Sequence, residues 1–218
     1  MGDPALAGRG EWNDPAMEGI VGILLAAGVG QRFDPSGRRL KLLEPAPAGH
    51  HAGVPLALAS ARNLLTALGT VVAVVRPAEE DASQQRLHAL LADAGCKLVI
   101  CEQARDGMGS SLACGVRATA DAVGWIIALA DMPAIEPGSI RAVARALSDG
   151  YDTAAAFFGE RRGHPVGFAN SLYPELAALS GDDGARSVLA MQPPHRVSVA
   201  DRGVLLDLDT PDGLKASI

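Results

Sequence analysis

The hydrophobic pattern breaks the chain into short apolar runs separated by segments of helical period. Ile20 to Leu25 is one such run, and it stops abruptly at Ala26-Ala27-Gly28-Val29-Gly30. A run this short, ended by glycines, fits a strand buried on both faces. Val71–Val75, Lys97–Cys101, Trp125–Leu129, Thr153–Phe158 and Val204–Leu208 read as further strands. Between them the spacing changes. Leu58, Leu64, Leu65 and Leu68 lie on or near one face of a helix over 54–68, and Leu87, Leu90, Leu91 and Ala94 do so over 81–94. Ile140, Val143, Ala144 and Leu147 mark another helix. These three end at Gly69, Gly95 and Gly150 and run straight into an apolar strand, as expected where glycine supplies the left-handed backbone that stops a helix. Ser110 reads as the N-cap of a helix to about Ala120.

Strands alternating with helices predict right-handed crossovers and a mostly parallel sheet, and strands apolar on both faces need helices on both sides. The expectation is a Rossmann-like, doubly wound α/β fold. Residues 19–218 show no internal boundary or repeat and are expected to form a single domain. Residues 1–18, rich in Gly, Pro, Asp and Glu, are expected to be a flexible tail.

Composition narrows the function classes. Of 218 residues 48% are apolar and 20% charged, which is globular rather than disordered. A net charge of −6 leaves no electrostatic footprint for nucleic acid or an anionic membrane. The cluster Arg32, Arg38, Arg39 and Lys41 therefore stands out locally. Cys96, Cys101 and Cys114 form no CxxC pair, which argues against a disulfide framework or structural zinc and fits a reducing cytoplasm. No secretory signal pattern is present, and no apolar run reaches the ~18 residues of a spanning helix.

In doubly wound sheets ligands bind beyond the carboxyl ends of the strands, and the candidate chemistry lies there. Gly28 and Gly30 let the backbone approach an anion and turn its N–H groups toward it, while Arg32 and Lys41 bring charge for phosphates. The third glycine of a dinucleotide fingerprint and the GxxxxGK[ST] of a P-loop are both missing; a glycine turn without a ligand is the plain alternative. Asp131 ends the strand Trp125–Leu129, where a carboxylate is costly unless a cation meets it. Magnesium needs only one or two protein carboxylates, so Asp131 is the first candidate ligand, with capping of the following turn as the alternative. In a strand Asp207 and Asp209 share a face, making Asp209 a candidate second carboxylate. Gly107–Ser111 could offer N–H groups to an anion or sugar hydroxyl, or be an ordinary capped loop. The pair His50-His51 reads as a solvated loop rather than a metal site. Arg161–Phe168 reads as a cationic turn entering a short strand. In Gly181–Arg186, a turn opening a helix, the charge of Arg186 opposes the helix dipole and asks for a partner; an ordinary surface turn is the equal alternative.

Taken together, LLAAGVGQRF with the following LKLL, GMGSSLACGV (107–116), ALADMP (128–133), GHPVGF (163–168), GDDGARSVL (181–189) and DLDTPDGL (207–214) resemble the molybdenum cofactor cytidylyltransferases of the MobA-like NTP transferase superfamily. The blocks follow the family's order over nearly all of the chain after residue 18. The resemblance implies a magnesium-dependent enzyme that transfers CMP from CTP to the terminal phosphate of molybdopterin, with or without molybdenum, releasing pyrophosphate. It implies catalytic roles for Arg32, Lys41 and Asp131, nucleotide binding by Leu25, Ala26, Ala27, Gly28, Gly30, Arg32, Lys41, Gly109 and Ser110, and metal binding by Asp131 and Asp209. Ser111, His164 and Arg186 are nominated for the acceptor, and a molybdenum hydroxylase or its insertion chaperone as a further partner. Ala26-Ala27-Gly28, where guanylyl members carry Ala-Gly-Gly, favours CTP. The link from Arg32 to Lys41 is longer than usual, so Arg38 or Arg39 competes for the lysine's role. Rival readings are a transferase acting on a sugar or alditol phosphate, a non-catalytic nucleotide-binding accessory protein, and an NAD(P)-dependent oxidoreductase.

Overall fold

The computed structural model describes residues 17–28, 30, 33–34, 39–47, 51–79 and 81–208. Residues 1–16 of the expected tail, Arg32, Arg38, His50 and Asp209 lie outside this set.

Seven strands alternate with six helices among the described residues: β1 (Ile20–Leu25), α1 (Leu56–Leu68), β2 (Val71–Val75), α2 (Ala82–Asp93), β3 (Lys97–Ile100), α3 (Met108–Arg117), β4 (Gly124–Leu129), α4 (Pro137–Ser148), β5 (Thr153–Phe158), β6 (Arg161–Ala169), α5 (Tyr173–Ala177), α6 (Arg186–Met191) and β7 (His195–Ser198). They form one sheet in the order β3-β2-β1-β4-β6-β5-β7. Only β6 runs against the others. The doubly wound, mostly parallel sheet inferred from the sequence is thus the observed fold.

Side-chain alternation along the strands builds two cores. Ile20, Leu24, Ala73 and Ile126 face one way and pack with α1, α2 and α4 through Leu64, Leu87 and Val143. Val21, Ile23, Val74 and Trp125 face the other and pack with α3, α5 and α6 through Leu112, Leu176 and Val188. Ile23, Leu24, Trp125 and Phe168 are fully buried, each contributing about 1.5–3 kcal/mol of transfer free energy. Gly69, Gly95 and Gly150 adopt positive φ just past α1, α2 and α4, as the helix stops predicted.

Several local expectations need correction. The helix expected to start at Val54 starts at Leu56, after Pro55. Ser110 does not cap α3: Gly107 occupies the N-cap, the helix ends at Arg117, and Ser110 sits buried inside its first turn. Arg161–Phe168 holds the expected strand but no turn: the cationic residues already belong to the nine-residue β6, because the chain reverses earlier, at Gly159-Glu160, and pairs Phe158 with Arg161. Val204–Leu208 is not a strand. Asp201 accepts a hydrogen bond from the Gly203 N–H at 2.7 Å and winds Arg202–Leu205 into a 3-10 turn, so the shared strand face assumed for Asp207 and Asp209 is absent. Among the described residues no helix is long and apolar enough to cross a membrane.

Candidate active site at the switch point

The chain leaves β1 toward β2 and β3 on one side, then returns to lay β4 on the other side of β1. The crevice beyond the carboxyl ends of β1 and β4 is therefore the topological switch point, where doubly wound sheets bind ligands. Leu25 pairs with Leu129 in register, so the glycine turn after β1 and the acidic turn after β4 leave the sheet side by side. Ala26 and Ala27 are buried, and Gly28 is exposed and faces open space.

Lys41 completes the cluster. It opens a 3-10 turn (Lys41–Leu43), and a Cβ placed on Gly30 would lie 3.8 Å from the Lys41 Cβ, so the glycine loop and the lysine are neighbours. Lys41 Nζ donates to Asp131 Oδ2 at 2.6 Å, with side-chain exposures of 8% and 20%. Withdrawing an ammonium from water is expensive, and an apolar pair of the same volume would usually serve stability as well. Such a pair is better understood as reserved for a ligand. Arg39, its rival in the sequence, is committed elsewhere: it donates to Glu44 at 3.0 and 2.7 Å and lies over the Phe33 ring at 5.0 Å.

The turn carrying Asp131 is held from below by α1. Ser60 Oγ donates to the Ala130 carbonyl at 3.1 Å, and Asn63 Nδ2 to the Pro133 carbonyl at 3.0 Å. His51 Nε2 lies 2.8 Å from Asn63 Oδ1. These braces were not anticipated, although the signal existed: two polar residues three apart on the otherwise apolar face of LALASARNLLTAL. From the other side, the Leu208 N–H donates to the Asp131 carbonyl at 3.2 Å. This brings exposed Asp207 to the same rim without any strand.

His164 stands on β6 beside this cluster. Burial pushes its imidazole below the ordinary value, opposed by the charge of Asp131, a hydrogen bond with the Ile127 backbone and the charge of Asp207, while Arg162 adds to the lowering. The ring is therefore neutral at pH 7, and its Nδ1 is buried without a hydrogen-bond partner.

The remaining nominated residues form a separate contact. The Gly109 N–H donates to the Gly181 carbonyl at 2.7 Å, and Ser111 Oγ donates to the Gly107 carbonyl at 3.4 Å. Gly107 has φ +128°, and a Cβ there would lie 2.3 Å from Asp182 Oδ1, so only glycine admits the 180–184 loop. The two glycine-rich motifs, far apart in sequence, are thus packed against each other. Arg186 opens α6 and is exposed; its N–H donates to the Asp183 carbonyl at 3.1 Å, and its side chain makes no hydrogen bond or ion pair among the described residues.

The arrangement brings a glycine turn, a buried cation and a carboxylate to one switch point, which is suited to a phosphate chain and its counter-ion. The chain is similar to several known proteins. Over 202 residues the chain is 29% identical to purine catabolism protein PucB of Bacillus subtilis (strain 168), covering 88% of this chain and 93% of that one. Over 200 residues it is 28% identical to nicotine blue oxidoreductase of Paenarthrobacter nicotinovorans, covering 88% and 92%. Among solved structures Rv0371c of Mycobacterium tuberculosis H37Rv superposes with a TM-score of 0.73 at 24% identity, covering 90% of this chain and 95% of that one; it has also been solved in complex with manganese. The model of the MobA-like NTP transferase domain matches residues 22–197, and this chain belongs to that family.

Proposed function

We propose that this nucleotidyltransferase-family protein moves CMP from CTP to the terminal phosphate of molybdopterin, releasing pyrophosphate. The observation that carries the reading is the Lys41–Asp131 pair at the β1/β4 switch point, beneath the glycine turn.

A divalent cation fits the donor set. Asp131 is partly exposed, and its Oδ1 makes no hydrogen bond among the described residues. Asp207 lies on the same rim, and Asp209 follows two residues later. No group of three or more His, Cys, Asp or Glu side chains that could hold a metal exists among the described residues. Magnesium at nucleotide sites is commonly held by one or two protein carboxylates, with phosphate oxygens and water completing its shell. Asp131, with Asp209, would hold magnesium, which would neutralise charge on the triphosphate. The manganese of the mycobacterial neighbour accords with an ion of this class.

The chain's own residues do the rest by alignment. An oxygen of the acceptor's phosphate attacks the α-phosphorus of CTP. A new P–O–P link forms as the bond to the β-phosphate breaks, and its electron pair leaves with pyrophosphate. The acceptor phosphate is already ionised, so no protein nucleophile or general base is needed. Lys41 and Arg32 offset the charge that develops on the leaving group. The turn from Leu25 to Gly30 presents backbone N–H groups to the triphosphate, and Gly109 and Ser110 flank the nucleoside. Ser111, neutral His164 and Arg186 face the acceptor. Ala27 in place of the guanylyl branch's glycine supports CTP.

The test measures pyrophosphate release with each of the four NTPs, with and without molybdopterin. Release that requires both CTP and molybdopterin is expected. A requirement for a sugar phosphate instead would move the enzyme to the first rival class. The name of the 28% identical oxidoreductase favours a second reading, a redox enzyme on this fold. NAD(P)H oxidation without pyrophosphate release would establish it.

A further inference from the structure

A cavity of about 560 Å³ opens on the same carboxyl rim, but at the ends of β2 and β3. It shares no residue with the Lys41–Asp131 cluster. Arg76, which follows β2, and Arg105, in the 3-10 turn 102–106 after β3, both line it. Burial, aided by the charge of Arg105, lowers the Arg76 pKa against the opposing charge of Asp81, so the two guanidiniums feel each other. Neither makes an ion pair among the described residues. Two cations converging on one cavity repel, and the carboxylates of Glu79, Asp81 and Glu102 on its wall form no ion pair with either among the described residues.

Two buried atoms sharpen the demand. Arg76 Nε is buried and has no acceptor; Gln84, 2% exposed, also lines the cavity, and its Oε1 has no donor. Orphaned buried groups of this kind cost about 1–3 kcal/mol each. The wall's acids do not satisfy the arginines. Asp81 Oδ1 accepts from the Ser83 and Gln84 N–H groups at 2.9 and 3.1 Å, while Glu79 and Glu102 are exposed to water. An occupant must therefore offer acceptor oxygens to two guanidiniums and a donor to a buried amide oxygen. A carboxylate or sulfate offers acceptors alone at neutral pH. Inorganic phosphate keeps a P–OH through neutral pH and offers both, and a phosphomonoester whose organic group carries a hydroxyl offers both through that group.

We propose that this cavity is a phosphate site: Arg76 and Arg105 bind the oxygens of inorganic phosphate or of a small hydroxyl-bearing phosphomonoester, and Gln84 Oε1 accepts a hydrogen bond from a hydroxyl of that ligand. The cavity is large enough for a phosphate bearing a small organic group.

Isothermal titration of the full chain with inorganic phosphate, sulfate and glycerol phosphate, in wild type and in Lys41→Ala, tests this independently of the transfer reaction. Phosphate should bind both proteins alike, and sulfate about tenfold more weakly. Arg76→Ala and Arg105→Ala should each weaken phosphate about tenfold, and Gln84→Met should bring it down to the level of sulfate. Arg105 is exposed, so Arg105→Ala carries the test should Arg76→Ala fail to fold. Tighter binding of glycerol phosphate than of phosphate identifies a phosphomonoester as the occupant; the reverse identifies the free ion. Equal affinity for phosphate and sulfate, or binding lost in Lys41→Ala and kept in Arg105→Ala, overturns the proposal.

Discussion

Two ion pairs in this molecule have similar geometry and opposite surroundings. Lys41 meets Asp131 at 2.6 Å with side-chain exposures of 8% and 20%, whereas Arg196 meets Glu160 at 2.8 Å with exposures of 40% and 90%. The second also has a bidentate partner geometry, with Nη2 to Oε1 at 2.9 Å, and by contact distance alone it would rank as highly. Water decides otherwise. Around Arg196 solvent competes for every hydrogen bond and screens the charge, so the pair contributes little. Around Lys41 the protein has removed that competition, so the charges act strongly on anything entering the crevice. A close ion pair marks a candidate site only where desolvation makes it costly to keep.

The sharpest way to break this contrast is Asp131→Asn, which keeps the shape and removes the charge. Turnover is expected to fall by at least about 100-fold, with an unchanged circular dichroism spectrum. Near-normal turnover in the folded variant would make the buried pair as dispensable as the exposed one and remove the metal assignment. Lys41→Met comes next. It should lower kcat/KM about tenfold, equivalent to about 1.4 kcal/mol, through both a higher KM for the triphosphate and a lower kcat, since the same charge offsets the leaving pyrophosphate. Its melting temperature should fall by several degrees, because removing one partner of a buried pair leaves the Asp131 carboxylate without its cation. A larger loss in Arg39→Ala, despite the engagement of Arg39 with Glu44, would mean that the cation has been misplaced.

How much of this was legible beforehand depends on the range of the interaction. β1 and the turn after it could be read because an apolar run ended by glycines is a local signal. Asp131 could be nominated because an acid ends an otherwise apolar strand. The Lys41–Asp131 contact could not, since it spans 90 positions and depends on β4 lying beside β1, which no local pattern specifies. The 201–208 segment misled for a related reason. Val204-Leu205-Leu206 has strand character, but the buried Asp201 carboxylate, reached by the Glu136 N–H at 2.8 Å and Ser139 Oγ at 2.9 Å, ties that segment to the start of α4 instead. β6 was underestimated because its first residues are cationic and its two-residue reversal at Gly159-Glu160 went unrecognised as a hairpin signal.

A smaller effect probes whether the pair needs its support from α1. Asn63 is 8% exposed and bonds the Pro133 carbonyl. Asn63→Leu removes the donor to that carbonyl and the 2.8 Å contact with the His51 ring, costing about 1–3 kcal/mol. The Asp131 turn should loosen, lowering kcat a few-fold while KM for the triphosphate changes little. A variant that loses stability with full turnover would show that Asn63 holds the fold and not the carboxylate.

The smallest effect belongs to the exposed pair, and its smallness is the point. Arg196→Ala removes both bonds to Glu160 and the guanidinium lying 5.0 Å above the Phe157 ring. The ring contact and the aliphatic stem are the parts of this residue with the greater claim on stability. Glu160→Gln removes the charge attraction alone and leaves the arginine stacked. Its melting temperature should therefore differ from wild type by less than about 2 °C, and the difference should vanish in 1 M salt, where the screening length falls to about 3 Å. Pyrophosphate release should be unchanged in both variants. A Glu160→Gln melting shift as large as that of Asp131→Asn, persisting at high salt, would show that exposure does not separate the two pairs and would undo the inference drawn from the buried one.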